Sequence, residues 1–319
     1  MRPTSTFLAP GALMSDITDI SETPPSDSPP RAPSRPRATP RTTHRLYIGG
    51  VFPRAVSGRT FDVHGADGTF LASAALAAGK DARDAVVAAR AAFPAWSAAA
   101  GCDRGQALYR IAEVMEGHRA QFAAQVRRSA GGSPDAAYAE VDAAVDRWTW
   151  YAGWADKITQ VRGTVNPVAG QFGTVSLPEP VGVTAVLAPQ DSALLGLVSV
   201  LAPVIVSGNT AVLVASERYP LLAVGFAEAL AAAALPAGVV NVLTGEVAEI
   251  APWLAAHQDV NAIDLAGAPG ALADDLAVAA AGNLKRVVRF ANPDWGVEPG
   301  LERMFATLET KTIWHPLGS

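Results

Sequence analysis

VGVTAVLAP, residues Val181–Pro189, opens the stretch that decides the fold. It is a continuous apolar run, and an apolar helical segment from Leu194 to Val206 follows it. The alternation then repeats. TAVLVA (Thr210–Ala215) precedes a helical stretch from Pro220 to Ala234, VVNVLTG (Val239–Gly245) precedes one near Glu246–His257, and AIDLAG (Ala262–Gly267) precedes one near Pro269–Ala281. KRVVRF closes the series at Phe290. Strands that are apolar throughout are covered on both faces, and strict alternation with helices makes neighbouring strands parallel. The fold class is therefore α/β, a doubly wound parallel sheet. Ligands of such sheets sit beyond the carboxyl ends of the strands, so candidate functional residues are sought in the turns there.

Upstream, RLYIGGVFPRAVSGRTFDVHGADGTFLASAA from Arg45 alternates in short runs broken by Gly, Ser-Gly and Asp-Gly, as small strands joined by turns do. DARDAVVAARAAFPAWS and DRGQALYRIAEVMEGHRAQFAAQVRRSAG carry apolar residues at three- and four-residue spacing, which predicts two amphipathic helices with Asp81 and Asp103 as N-caps. A further helix starts near Asp135, and its Trp148, Tyr151 and Trp154 form an apolar face that reads as core. QVRGTVNPVAGQFGTVSL turns around Asn166, Pro167, Ala169 and Gly170 as a hairpin does, and LETKTIWHP (Leu308–Pro316) alternates like a strand. The expected organisation is a disordered Pro/Ser/Arg-rich tail over 1–44, a small sheet and helices over 45–159 and a hairpin over 160–177. The doubly wound domain follows over 178–290, with a linker and strand over 291–319.

Half of the 319 residues are hydrophobic, enough for a sizeable core, and the formal net charge is -5. That balance offers no general basic surface to nucleic acid or anionic lipid. The single cysteine, Cys102, excludes an internal disulfide and a multi-thiolate metal site and suits a reducing cytosol, so a cytoplasmic protein is expected. The longest apolar run, Ala193–Val206, falls short of the roughly 20 residues that span a bilayer and reads as a buried helix. FLAPGALM near the start makes a poor secretion signal. Glu140 with Asp142, and Asp274 with Asp275, read as solvated helix faces. His64, His118, His257 and His315 lack metal-ligand spacing. No nucleophile elbow, P-loop or GxGxxG fingerprint follows a strand.

LYIGG, SGRTFDV, DARDAVVAARAAFPAWS, WYAGWADKI, EPVGVTAVLAPQ, APVIVSGNTAVLVASERYPL, LPAGVVNVLTG and NLKRV follow one another in an order that resembles the aldehyde dehydrogenase superfamily from Arg45 to Phe290. The resemblance implies a Rossmann-like dinucleotide-binding domain with N-terminal helices. It also implies an oligomerisation element made of the hairpin and the C-terminal strand. Cofactor contacts are implied at Pro189, Ser216, Glu217, Gly245 and Gly267. Departures from the family pattern weaken those contacts. Where the family has Pro-Trp-Asn, with an asparagine that helps stabilise the oxyanion, Pro189 is followed by Gln190 and Asp191, and a carboxylate opposes an oxyanion. Where it has Lys-Pro-Ser-Glu around the ribose, Val214, Ala215, Ser216 and Glu217 stand. The Thr-Gly-Ser turn beside the pyrophosphate becomes Ala266, Gly267 and Ala268, which keeps the close backbone approach and loses both hydroxyls.

The family's general-base glutamate falls on Phe290, and no cysteine-bearing domain stands between Phe290 and the strand from Leu308. Cys102 belongs to an early helix and does not replace the nucleophile. The resemblance therefore implies no catalytic and no metal-binding residue. The reading is a non-catalytic companion of a full-length aldehyde dehydrogenase subunit, assembling with it or with itself and binding NAD or NADP weakly. The alternative is an NAD(P)-dependent oxidoreductase acting on aldehyde or oxo groups with a partner's catalytic cysteine. A third reading is a dinucleotide-binding module without chemistry.

Overall fold

The structure, a computed structural model, describes residues 42–291 and 293–317. The tail expected over 1–44 lies outside the described residues up to residue 41, but its end is ordered. β1 (Thr43–His44), β2 (Thr60–His64) and β3 (Phe70–Ala75) form a sheet of order β1-β3-β2, with β1 parallel and β2 antiparallel to β3. Four helices follow, α1 (Gly79–Ala98), α2 (Gly101–Gly117), α3 (Arg119–Ala130) and α4 (Pro134–Ala152). The periodic stretch from Asp103 onward, expected as one helix, breaks at His118, where φ is -108° and ψ is 18°. Trp148 and Tyr151 are fully buried and Trp154 packs on the same core, so the aromatic stripe is structural.

A short helix α5 (Ile158–Arg162) precedes β4 (Thr164–Asn166) and β5 (Phe172–Pro180). The segment expected as a hairpin over 160–177 thus begins in a helix, and its second strand runs on to Pro180. Then β6 (Val183–Leu187), α6 (Leu195–Val206), β7 (Thr210–Val214), α7 (Pro220–Ala232), β8 (Val240–Leu243), α8 (Val247–Ala256), β9 (Ala262–Asp264), α9 (Gly270–Ala280) and β10 (Arg286–Val288) alternate. The five strands are parallel in the order β10-β9-β6-β7-β8. After β8 the chain crosses to the far side of β6, which makes the carboxyl end of β6 the switch point. Successive strand residues serve opposite cores. Val186, Ala211 and Leu213 pack with α6 and α7, whereas Val183, Leu187 and Val212 pack with α1, α8 and α9. Each Val or Leu so buried contributes about 1.5–3 kcal/mol.

All of α6 is buried, which is why its sequence is apolar on every side. Among the described residues no helix is long and apolar enough to cross a membrane. Glu140 of α4, expected on a solvated face, instead accepts from the backbone N–H groups of Leu194 at 2.8 Å and Leu195 at 3.3 Å. Its negative charge complements the positive end of the α6 dipole. α10 (Glu302–Ala306) and β11 (Leu308–Pro316) complete the chain. β11 pairs antiparallel with β5 from Leu308 opposite Pro180 to Pro316 opposite Phe172, in a sheet of order β11-β5-β4. Asn209, fully buried, accepts from Gly182 N–H at 2.8 Å and donates to the Thr307 carbonyl at 2.9 Å, which ties this sheet to the parallel one.

Neither aspartate expected as an N-cap occupies that position. Ala78 caps α1 and Ala100 caps α2, so Asp81 and Asp103 lie one turn inside. Asp81 is 2% exposed, and its carboxylate accepts from the N–H groups of Ala78 and Val56, both at 2.9 Å. It reaches back to the cap and also pins the loop before β2 onto α1. Asp81→Ala strands two amides and is expected to lower the unfolding free energy by about 3 kcal/mol in urea titration. Arg83→Ala, a neighbouring exposed change, is expected to cost less than about 0.5 kcal/mol, and equal losses from both would defeat this role for Asp81.

Candidate functional site

All five residues assigned to a cofactor from sequence lie just past the carboxyl end of a parallel strand: Pro189 after β6, Ser216 and Glu217 after β7, Gly245 after β8 and Gly267 after β9. The fold gathers them on one rim. Gln190 joins the first two turns, because its Oε1 accepts from Ser216 Oγ at 2.9 Å and from Glu217 N–H at 3.0 Å. Glu217 joins the second and third, accepting from Val247 N–H at 2.6 Å at the start of α8. Gly245 turns the chain there with φ of 148°, a conformation that favours glycine. The Gly267 N–H donates to the Leu187 carbonyl at 3.0 Å, and a Cβ at Gly267 would collide with the Ala188 carbonyl oxygen. Glycine here lets two strand ends close on each other. The polar groups of the rim are thus engaged with one another.

The described residues between 290 and 307 run beside this rim. Arg147 of α4, 8% exposed, donates to Ser199 Oγ of α6 at 2.5 Å and to the carbonyls of Trp295 and Val297 at 2.8 and 2.9 Å. Trp295 Nε1 donates to Asp191 Oδ1 at 3.0 Å. Arg303 forms an ion pair with Asp264 at the end of β9, where both side chains are largely buried. Its guanidinium lies 4.5 Å from the centre of the Phe290 ring and 5.3 Å from that of Trp295. Burial pushes the Asp264 carboxyl up from the usual carboxylate range, and the Arg303 charge opposes that shift. Burial also lowers the Arg147 guanidinium and pushes the Tyr151 phenol up to about 12. A cavity of about 250 Å³ remains between this segment and α4, lined by Arg147, Tyr151, Ser199 and Trp295 among others.

Comparison with known proteins places this arrangement. The profile of the aldehyde dehydrogenase family matches residues 55–289, from the loop before β2 through β10. The chain belongs to the aldehyde dehydrogenase family. It is 35% identical over 260 residues to the mitochondrial aldehyde dehydrogenase of Leishmania tarentolae, covering 80% of this chain and 51% of that protein. It is 32% identical over 256 residues to human cytosolic 10-formyltetrahydrofolate dehydrogenase, covering 79% of this chain and 28% of the relative. Among solved structures, an NADP-dependent enzyme of E. coli superposes with a TM-score of 0.72 at 25% identity, over 77% of this chain and 50% of that one. The chain thus spans about half or less of the length of these relatives.

Aldehyde dehydrogenase membership gives the departures a position in space. Phe290, expected from the resemblance at the family's general-base position, is stacked under Arg303. Asp191, expected from the resemblance near the oxyanion-asparagine position, accepts from the Trp295 indole N–H. Cys102 is exposed in the first turn of α2, where its neighbour Gly101 abuts the Ala155 carbonyl, and it is not on the rim. Among the described residues no three His, Cys, Asp or Glu side chains gather as metal ligands.

Glu140 was expected on a solvated face, and Arg147, Trp295 and Arg303 escaped the sequence reading. The last two lie in the stretch that departs from the family, which was the one signal available for them. The buried pair predicts a sharp asymmetry. Arg303→Met leaves the Asp264 charge uncompensated and is expected to lower stability by about 3–5 kcal/mol, whereas Asp264→Leu with Arg303→Met restores most of it. Urea unfolding of both variants checks this, and a single-variant loss below about 1 kcal/mol would overturn the role given to the pair.

Proposed function

We propose that this chain is a non-catalytic companion of a full-length aldehyde dehydrogenase subunit, joined to it through the β4–β5–β11 sheet. The observation that carries the reading is the fate of residues 290–307. They contain no thiol, they place Phe290 and Asp191 in a packed segment, and they lead directly into β11. A phenyl ring takes no proton from a thiol or water, so Phe290 supplies no base to the oxidoreductase alternative even with a borrowed cysteine.

The association half rests on exposed surface. β11 is the edge of its sheet, and beyond Leu308 its residues are exposed on both faces. Val165, Val175 and Ile313 stand in register across the three strands and are 77%, 37% and 45% exposed. A free edge beside an apolar stripe is covered in a stable protein, and strand addition by another subunit supplies such cover. Leu308→stop, with the rest of the chain retained, is expected to abolish co-elution with the full-length subunit while the parallel sheet stays folded by circular dichroism. A truncated chain that still co-elutes, or a full-length chain that is a monomer at micromolar concentration, would sink the association reading.

NAD or NADP binding at Pro189, Ser216, Glu217, Gly245 and Gly267 is weak in this reading. The site was tested on its own donors. Gln190 occupies Ser216 Oγ and the Glu217 N–H, and Glu217 is held at α8, so a dinucleotide must displace existing bonds. The residues do not fit a tightly held cofactor. Three lost contacts at about 1 kcal/mol each weaken binding roughly a hundredfold relative to a subunit that has them. Calorimetry is expected to find no NAD or NADP affinity in the low micromolar range, and the isolated chain is expected to oxidise neither short nor aromatic aldehydes. Turnover that survives Cys102→Ala would defeat the non-catalytic reading.

A further inference from the structure

A second site stands apart from the strand rim, at the N-terminal sheet. Arg45, Arg54 and Arg59, together with His44, Thr43 and Thr60, line a cavity of about 320 Å³, and among the described residues no Asp or Glu lines it. We propose that this cavity binds the phosphate group of a small phosphorylated molecule.

Three features support the assignment. The first is convergence from separate segments. Arg45 follows β1, Arg54 lies in the loop before β2, and Arg59 leads into β2. Backbone bonds fix those segments: Leu46 N–H to the Pro53 carbonyl at 3.1 Å, and Leu76 N–H to the Arg59 carbonyl at 3.0 Å. Asp81 holds Val56 N–H between them at 2.9 Å from behind, with its carboxylate already engaged by two amides. Three guanidiniums carried on one backbone frame concentrate positive charge at this cavity.

The second feature is that these cations are unspent. Elsewhere Arg119, Arg286, Arg289 and Arg303 each meet a carboxylate. Among the described residues Arg54 and Arg59 have no ion pair, and Arg45 makes a single contact with the Phe52 carbonyl at 3.4 Å. On a chain whose net charge is -5, a basic concavity whose nearest acidic influence is Glu228 acting on His44 runs against the overall field. The third feature is chemical type. Guanidinium forks donate two parallel bonds to a tetrahedral oxyanion, and the two threonine hydroxyls add donors suited to its remaining oxygens. The volume accommodates a phosphate and a small organic remainder, not a folded partner.

The site is tested by calorimetry of the full chain with inorganic pyrophosphate, with sulfate and citrate as comparison anions at matched ionic strength. Saturable pyrophosphate binding is expected, tighter than that of either comparison anion. Arg54→Ala and Arg59→Ala are each expected to weaken it about tenfold, a loss in the range of one charge-assisted hydrogen bond. Arg110→Ala, an exposed change on α2, is expected to leave it unaltered. Because Arg54 and Arg59 are exposed and hold no other part of the structure, their variants keep the parent melting temperature. Equal affinity for pyrophosphate, sulfate and citrate would show ordinary anion screening and overturn the proposal. So would undiminished binding in the Arg54→Ala, Arg59→Ala double variant, or no saturation up to about 10 mM pyrophosphate.

Discussion

A helix buried on every side must have its terminal amides and carbonyls met by side chains, and that requirement organises this molecule. α6 has no solvent at either end of its buried length. Glu140 of α4 receives its first amides, and Ser192 Oγ receives Gly196 N–H at 2.7 Å. At the other end Trp96 of α1 donates to the Ile205 carbonyl at 3.0 Å, and Arg104 of α2 donates to the Val206 carbonyl at 3.1 Å. The bonds from Glu140, Trp96 and Arg104 each span elements far apart in sequence. An unmet group in that interior costs about 1–3 kcal/mol, so α1, α2 and α4 are fixed against the sheet by the helix they satisfy. The position of Arg147, on the same α4, follows from that fixation.

The rim at the strand ends inherits its geometry from this frame but not its chemistry. Gln190 and Glu217 bind the turns to each other, and Arg147 with Arg303 binds the 290–307 segment to the frame. In a catalytic site some donors and acceptors are left to meet a reacting group. Here Gln190, Ser216 and Glu217 are bonded to internal partners. The contrast lies in how bonds are distributed, since the backbone keeps the family's arrangement of strands and turns.

The sheet was legible because its signal is local and repeated. Five apolar strands separated by helical runs leave few topologies, and the residues after each strand then fall on one rim by the rule of parallel sheets. What could not be read was long-range pairing of single polar side chains. Glu140 looks like any carboxylate on an amphipathic helix until α6 is placed against it. Asp81 carries the composition of an N-cap but sits a turn later, because Ala78 takes the cap and the loop at Val56 supplies a second donor. The break at His118 interrupts a stretch whose periodicity shows no sign of it. Arg303 and Asp264 lie 39 positions apart, and no sequence period connects them.

The pairing of β5 with β11 has a consequence for how the chain is made. β5 ends at Pro180, while its partner strand begins only at Leu308, after the whole parallel sheet. During synthesis the β4–β5 hairpin therefore leaves the ribosome long before its third strand exists. Throughout that interval its free edge carries unmatched amides and carbonyls beside Val165 and Val175. Contacts of such sequence separation form late, because the intervening loop must close first. The nascent chain thus passes through a stage at which another protein, a chaperone or a neighbouring nascent subunit, competes with β11 for the same edge. The order of synthesis thus leaves the β5 edge open longer than any other part of this sheet.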